Sequence, residues 1–179
     1  MFRFFKKKEI EIKVIDKVVI DETAKLNAML ELWNTDRTIV FVFWFDESLD
    51  KAANYFNSLL SEPPPLLTVR EASVPQLSGR KPVFGEHYPL RNKEEYLYNK
   101  MNLETVQVFS SLREPLFQQF GGEKIIQLMK QLGMKEEEVI ENAMISKAIK
   151  KAQEKIEGKV ISELPVRSQL DWIEKNYKP

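Results

Sequence analysis

The chain has 179 residues, 27 Lys+Arg against 27 Asp+Glu, 43% apolar residues, one histidine and no cysteine, which suits one domain, or one domain with a helical appendage. Balanced charge offers no basic excess for nucleic acid, so no nucleic-acid partner is expected. The missing cysteines exclude disulfides, thiolate zinc sites, iron–sulfur clusters and cysteine nucleophiles, and a single histidine excludes any multi-histidine metal site.

Met1-Phe2-Arg3-Phe4-Phe5-Lys6-Lys7-Lys8 is basic but lacks the apolar stretch and small-residue cleavage site of an export signal. Residues 1–8 read as a disordered or mobile basic tail, whose alternating Phe and basic residues allow at most peripheral membrane contact. No run approaches the roughly 18 consecutive apolar residues of a membrane span, and the expected location is cytoplasmic. Glu9-Ile10-Glu11-Ile12-Lys13-Val14 alternates charged and apolar residues, which predicts a half-buried strand. Asp21 opens a helix in which Leu26, Met29, Leu30 and Trp33 recur at helical spacing, broken at Asn34-Thr35-Asp36. Thr38 to Phe45 is continuously β-branched and aromatic after its first residue, the pattern of a strand covered on both faces. Asp46 is placed to cap the next helix, whose stripe is Leu49, Ala52, Ala53, Phe56, Leu59 and Leu60. A covered strand feeding an amphipathic helix is half of a βαβ unit and points to an α/β layer fold.

Pro63-Pro64-Pro65 ends that helix, and Leu66 to Val69 predicts the next strand. Residues 70–89 hold Pro75, Gly79, Pro82, Gly85 and Pro89 and read as loop, with a short strand at Val83-Phe84. A helix is predicted from about Lys93 to Met101, and Glu104 to Phe109 alternates as a strand. Beyond it the pattern is helical throughout: Leu112 to Phe120, a second helix after Gly121-Gly122 stopped by Gly133, a third along Ile145, Ala148, Ile149, Ala152 and Ile156 closed by Gly158, and a last one over Val166 to Asn176. The organisation predicted is an α/β body over residues 9–120 and a helical C-terminal segment over 121–179 packed on it.

Candidate chemistry is sparse. His87 follows Glu86 in a loop, where a neighbouring carboxylate would raise its pKa, but no Ser or Asp partner is evident and an ordinary loop histidine is the simpler reading. A complete phosphate-binding loop is absent. Gly121-Gly122-Glu123-Lys124 and Ser78-Gly79-Arg80-Lys81 are partial fragments, and Glu123 puts negative charge where an anion would lie. The acidic group Glu136, Glu137, Glu138 and Glu141 lacks the ligand spacing of a calcium loop and reads as a solvated face. The lysines from 147 to 155 are interleaved with Gln153 and Glu154, again a solvated face. No catalytic, cofactor-binding or metal residue is assigned.

One passage is more specific. Val106-Gln107-Val108-Phe109-Ser110-Ser111-Leu112-Arg113-Glu114-Pro115-Leu116-Phe117-Gln118-Gln119-Phe120-Gly121-Gly122-Glu123-Lys124-Ile125 resembles the end of the second nucleotide-binding domain of SecA, the preprotein translocase motor ATPase. There a strand ends in a Ser-Leu-acidic segment followed by Leu-x-x-x-Phe-Gly. The similarity continues through Leu128 to Met134, Ile140-Glu141, Met144 to Ile149 and Lys151 to Gly158. Val166-Arg167-Ser168-Gln169-Leu170 echoes the start of the scaffold helix that follows in SecA.

The resemblance implies a RecA-like (P-loop-NTPase-type) three-layer sheet with flanking helices, degenerate, plus a helical C-terminal extension. Between Leu66 and Val106 the chain is too short for the helicase motifs that complete SecA's ATP site, and the P-loop domain, preprotein-binding domain and zinc tail have no counterpart in this sequence. What the resemblance implies is a non-catalytic protein, not an enzyme and without cofactor, that binds a protein partner in translocation, either SecA itself or another translocon component, through its C-terminal helices. The alternative is a small-ligand or nucleotide-binding α/β protein without hydrolysis, its pocket near Trp44, Asp46 and the Arg80/Lys81 loop. A third reading, an enzyme using His87 and Glu86, requires a deep pocket around both.

Overall fold

The computed structural model describes residues 12–178. In chain order the elements are β1 (Lys13–Val19), α1 (Glu22–Thr35), β2 (Ile39–Phe43), α2 (Asp46–Leu59), β3 (Leu66–Thr68), β4 (Lys81–Phe84), α3 (Arg91–Lys100), β5 (Thr105–Ser111), α4 (Pro115–Gln118), α5 (Gly122–Gln131), α6 (Ala143–Glu157) and α7 (Gln169–Asn176). The strands form one five-stranded sheet in the order β1-β5-β4-β2-β3, and every pairing is parallel.

Period-two alternation along the central strands sorts side chains into two cores. On one face Ile39, Phe41, Phe43 and Phe109 pack against Leu26, Met29 and Trp33 of α1 and Phe56 of α2. On the other, Val40, Val42, Phe84, Val106 and Val108 pack against Tyr98 of α3 and Met101 after it. This is a three-layer α/β architecture of RecA-like type with added C-terminal helices. Those helices seat against the carboxyl edge of the sheet. Trp172 and Ile173 of α7 join Phe45, Leu90, Leu116 and Ile156, while Ile126 and Ile149 join Val18, Ile20 and Leu112. Each such fully buried side chain stabilises the fold by roughly 1.5–3 kcal/mol.

Two local expectations need correction. Of the strand expected over residues 9–14, Lys13 and Val14 open β1, which runs further than the alternation predicts. Residues 9–11 lie outside those described, as does the basic tail, and β1 continues to Val19 through Asp16 and Lys17. Asp16 is only 3% exposed, so the period-two pattern is broken by a buried carboxylate. Asp46 is not a cap either. It is the first residue of α2, Phe45 is the cap residue, and no cap side chain bonds the helix. Asp46 instead pairs with Arg70.

At one lateral edge of the sheet β1 is engaged at Val18. Val18 and Ile140 form an antiparallel bridge, with Val18 N donating to Ile140 O at 3.0 Å and Ile140 N to Val18 O at 2.8 Å. At the opposite edge β3 has three residues and follows Pro63-Pro64-Pro65.

Candidate functional site at the carboxyl edge of the sheet

After β2 the chain leaves to α2 on one face, and after β4 it leaves to α3 on the other. The adjacent carboxyl ends of β2 and β4 therefore form the switch point at which open α/β sheets bind ligands. Here a side chain of the protein fills it. Glu86 Oε1 accepts from Trp44 N at 3.0 Å and from Phe45 N at 2.9 Å, and Oε2 accepts from Ser48 Oγ at 2.6 Å. The carboxylate thus takes the place an anion would occupy before a helix N-terminus. Burial pushes Glu86 up to about 7, against the pull of Lys25 and the hydrogen bond from Ser48. Gly85 makes this approach possible: a Cβ there would lie 2.2 Å from Phe43 Cε1.

Beside Glu86 lies a polar crevice of about 250 Å³, lined by Glu22, Lys25, Glu86, Ser111, Arg113 and Glu114 among others. Lys25 is fully buried, 2.7 Å from Glu114 and 2.8 Å from Glu22. Burial alone would lower the ammonium's pKa, but the two carboxylates outweigh it and hold Lys25 above its ordinary value. Glu114 Oε1 also accepts from Ser111 N at 3.0 Å, while its Oε2 has no partner among the described residues. The C-terminal segment straps this edge. Arg167 O accepts from Glu47 N at 3.0 Å in the first turn of α2. Gln169 accepts from Leu116 N at 2.8 Å and donates to His87 O at 3.0 Å.

His87 points elsewhere. Its Nε2 is 2.8 Å from Asp16 and its Nδ1 2.9 Å from Glu94, and the ring is 2% exposed. Burial disfavours the imidazolium, yet the charge of Glu94 and the hydrogen bond to Asp16 raise its pKa well above the ordinary value. Burial would likewise raise Asp16, but the hydrogen bond and charge of His87 hold it below the usual carboxylate range. Gln153 completes the network by donating to Glu94 Oε2 at 2.9 Å and to Tyr88 O at 2.8 Å. Adjacent in sequence, Glu86 and His87 serve opposite sides of the sheet edge and share no pocket.

The ligand pocket expected near Trp44, Asp46, Arg80 and Lys81 is not assembled. Trp44 and Asp46 follow β2 at the carboxyl edge, whereas Lys81 opens β4 at the amino edge, where it pairs with Asp36 at 2.7 Å. Gly121 has φ 84°, and a Cβ on Gly122 would meet Leu112 O at 2.7 Å, so both glycines answer to a tight turn between α4 and α5. Glu136 pairs with Lys130 at 2.6 Å. Among the described residues no group of three or more His, Asp or Glu side chains is placed to hold a metal.

Sequence reasoning missed Lys25, Glu114, Asp16, Glu94 and Gln169. Lys25 left a signal as a charge at helical spacing from Met29 on the buried stripe of α1, and Glu114 and Gln169 stand within the passages that carry the resemblance.

A second opening differs in character. An apolar groove of about 110 Å³ runs between α4, α5 and α6, lined by Leu116, Phe120, Ile125, Met129, Ala148 and Ala152 among others. On the same helices Leu128 of α5, Leu132 just after it and Met144 of α6 are exposed, at 55%, 73% and 77%.

A parallel three-layer α/β domain with a carboxylate in its switch point and an apolar groove among its terminal helices is the class these features define. Within that class the chain shows partial-length homology to subunits of the protein translocase, and the stretch they share is SecA-like. It is 37% identical to "Protein translocase subunit SecA" of Oleidesulfovibrio alaskensis over 48% of this chain and 10% of the relative. It is 47% identical to the same subunit of Clostridium beijerinckii over 35% and 7%, and 26% identical to "Protein translocase subunit SecA 1" of Alkaliphilus metalliredigens over 64% and 13%. The chain therefore spans about a tenth of the length of the curated relatives it matches. No family model matches it. Among the described residues no helix is long and apolar enough to cross a membrane.

Proposed function

We propose that the chain is a non-catalytic, degenerate SecA-like module that binds a protein partner in translocation. The observation that carries this reading is the open apolar groove between α4, α5 and α6, on helices that also expose Leu128 and Met144, with Leu132 exposed just after α5. Clustered apolar exposure of this kind marks an interaction surface. Glu86 supports the non-catalytic half of the reading, because its side chain already takes the N–H groups of Trp44 and Phe45 that a phosphate would need there. The partner is SecA or another translocon component, met in the cytoplasm, and neither nucleic acid nor cofactor takes part.

A photo-crosslinking residue at Leu132, expressed in the native cell, tests the proposal. Recovery of a translocation component, lost when Ile125→Asp is added, is expected. Crosslinks that reach no such component overturn it.

The polar crevice at Lys25, Ser111 and Arg113 favours a second reading, a bound small molecule or nucleotide without hydrolysis. Thermal unfolding with ATP, ADP and phosphate separates the two. A ligand at a hundredfold its Kd stabilises by about 2.7 kcal/mol, several degrees in midpoint for a chain of this size, and a flat response leaves the protein-binding module.

A further inference from the structure

The groove's rim carries charge of one sign. On α6, Ile145, Ala148 and Ala152 line the groove, and helical periodicity places Met144, Lys151 and Lys155 in the next row outward. On α5, Ile125 and Met129 line it, and Lys124 and Leu128 follow outward in the same way. Lys155 Nζ lies 6.0 Å from the ring centroid of Phe120, a groove residue. Among the described residues no carboxylate lies within ion-pair distance of Lys124, Lys151 or Lys155. The ion pairs of α5 and α6 among the described residues join Arg113 to Glu123, Lys130 to Glu136 and Lys150 to Glu154. The acidic residues of these helices, Glu123, Glu154 and Glu157, fall at helical angles turned away from the groove-lining row, and Glu157 accepts from Asn92 N.

We infer that the groove receives an amphipathic α-helix whose apolar stripe is flanked by Asp or Glu, a partner chemistry that rests on the protein-binding reading above. Ala148 and Ala152, four residues apart, leave a lane along the floor in which a helix can approach closely, and Ile125 and Met129 form the facing ridge. An extended peptide would need an unpaired strand edge, and three helices offer none. A flat lipid surface would reach the exposed Leu132 and Met144 but would leave the lane between α5 and α6 unfilled. With 27 positive and 27 negative side chains overall, the attraction for an acidic helix is local to the rim and not a property of the whole protein.

Fluorescence anisotropy with the full chain tests this. Two 18-residue helical peptides share one leucine stripe, one flanked by Glu and the other by Lys. The Glu peptide is expected to bind at least about tenfold tighter, with affinity falling as salt rises. The triple change Lys124→Glu, Lys151→Glu, Lys155→Glu is expected to invert the preference, and Ala148→Trp to abolish binding of both. An unchanged urea midpoint shows that these surface variants still fold.

Equal affinity for the two peptides overturns the inference, as does the absence of Glu-peptide binding. So does binding to phosphatidylglycerol vesicles that the triple change removes while neither peptide binds, or self-association that Ala148→Trp abolishes. If the Lys peptide alone binds and Ala148→Trp removes it, the acidic chemistry fails while the groove remains a protein site. If neither peptide binds and crosslinks from Leu132 reach no translocation component, the protein-binding reading fails with it.

Discussion

The Lys25 ammonium lies 2.7 Å from the Glu114 carboxylate across 89 positions of sequence, and both side chains are buried. The pair ties α1, which follows the edge strand β1, to the turn after β5. Each charge is tolerated in the interior because the other is present.

Lys25→Met therefore leaves Glu114 buried without its counter-charge, and a loss of about 3–5 kcal/mol in unfolding free energy is expected. The double variant Lys25→Met, Glu114→Leu should recover part of that loss, since an apolar pair of similar volume replaces the ions while Ser111 N loses its acceptor, at a cost of about 1–3 kcal/mol. Urea titration of the two variants checks both statements. A single variant within about 1 kcal/mol of the parent would show that the pair does not hold the fold.

His87 is the only histidine, so its ring signal is unambiguous in an NMR titration. Its folded pKa is raised well above 6.5. Its contribution to stability is therefore full below about 6.5 and is lost only as pH rises through the higher folded value. Asp16, held below its ordinary 3.8, contributes above that value and loses its contribution as pH falls through the folded one. The Asp16–His87–Glu94 network thus supports the fold from mildly acidic through neutral pH. The His87 ring signal should stay in its protonated position from about pH 5.5 to 7.5. A midpoint near the ordinary histidine value would refute the doubly bridged imidazolium. Glu94→Gln should lower the midpoint and destabilise the protein together.

Glu86 has the opposite sense. Its folded pKa is about 7 against an ordinary 4.5, so the native state holds a proton that the unfolded chain has given up. Between those values stability falls as pH rises, and above 7 the full cost, on the order of 3 kcal/mol, is present. Glu86→Gln can still accept from Trp44 N and Phe45 N while lacking that charge. Denaturation midpoints at about pH 5 and 8 should diverge less in the variant than in the parent. Identical pH slopes in the two proteins would count against a carboxylate in the switch point.

Gly85→Ala should cost about 1–3 kcal/mol by overpacking, because the added Cβ would meet the Phe43 ring at 2.2 Å. Phe43→Leu in the same chain should return part of that loss, measured as a difference in thermal midpoint. If Gly85→Ala alone leaves the midpoint unchanged, Phe43 has room to move and the close approach does not constrain the strand.

Most of the layered fold was legible because it is written in local periodicity. The Leu26, Met29, Trp33 stripe, the unbroken run through Phe43 and the stripe ending at Ile156 each disclose their element within a few residues. The second half of β1 was not legible, because Asp16 interrupts its pattern and the group that accommodates it, His87, is 71 positions away. The switch-point carboxylate was hidden for the same reason. Asp46 stands where a cap is expected, while the group that bonds there is Glu86, 41 positions beyond Phe45. Grouping Arg80 and Lys81 with Trp44 rests on the preference of ligands for the ends of strands in open α/β sheets, but these two residues lie at the start of β4 and not at its end. A strand of four residues separates its two ends by roughly 10 Å or more, enough to set them on opposite sides of the molecule.

The Val18–Ile140 bridge and the triple proline ahead of β3 have a shared consequence for how this protein can meet others. Annexing an extended segment as a sixth ribbon is hindered on either flank, at Val18 by a bridge already in place and at β3 by a strand of only three residues with prolines ahead of it. Recognition is thereby steered from backbone pairing, which is indifferent to sequence, toward the fit of particular side chains.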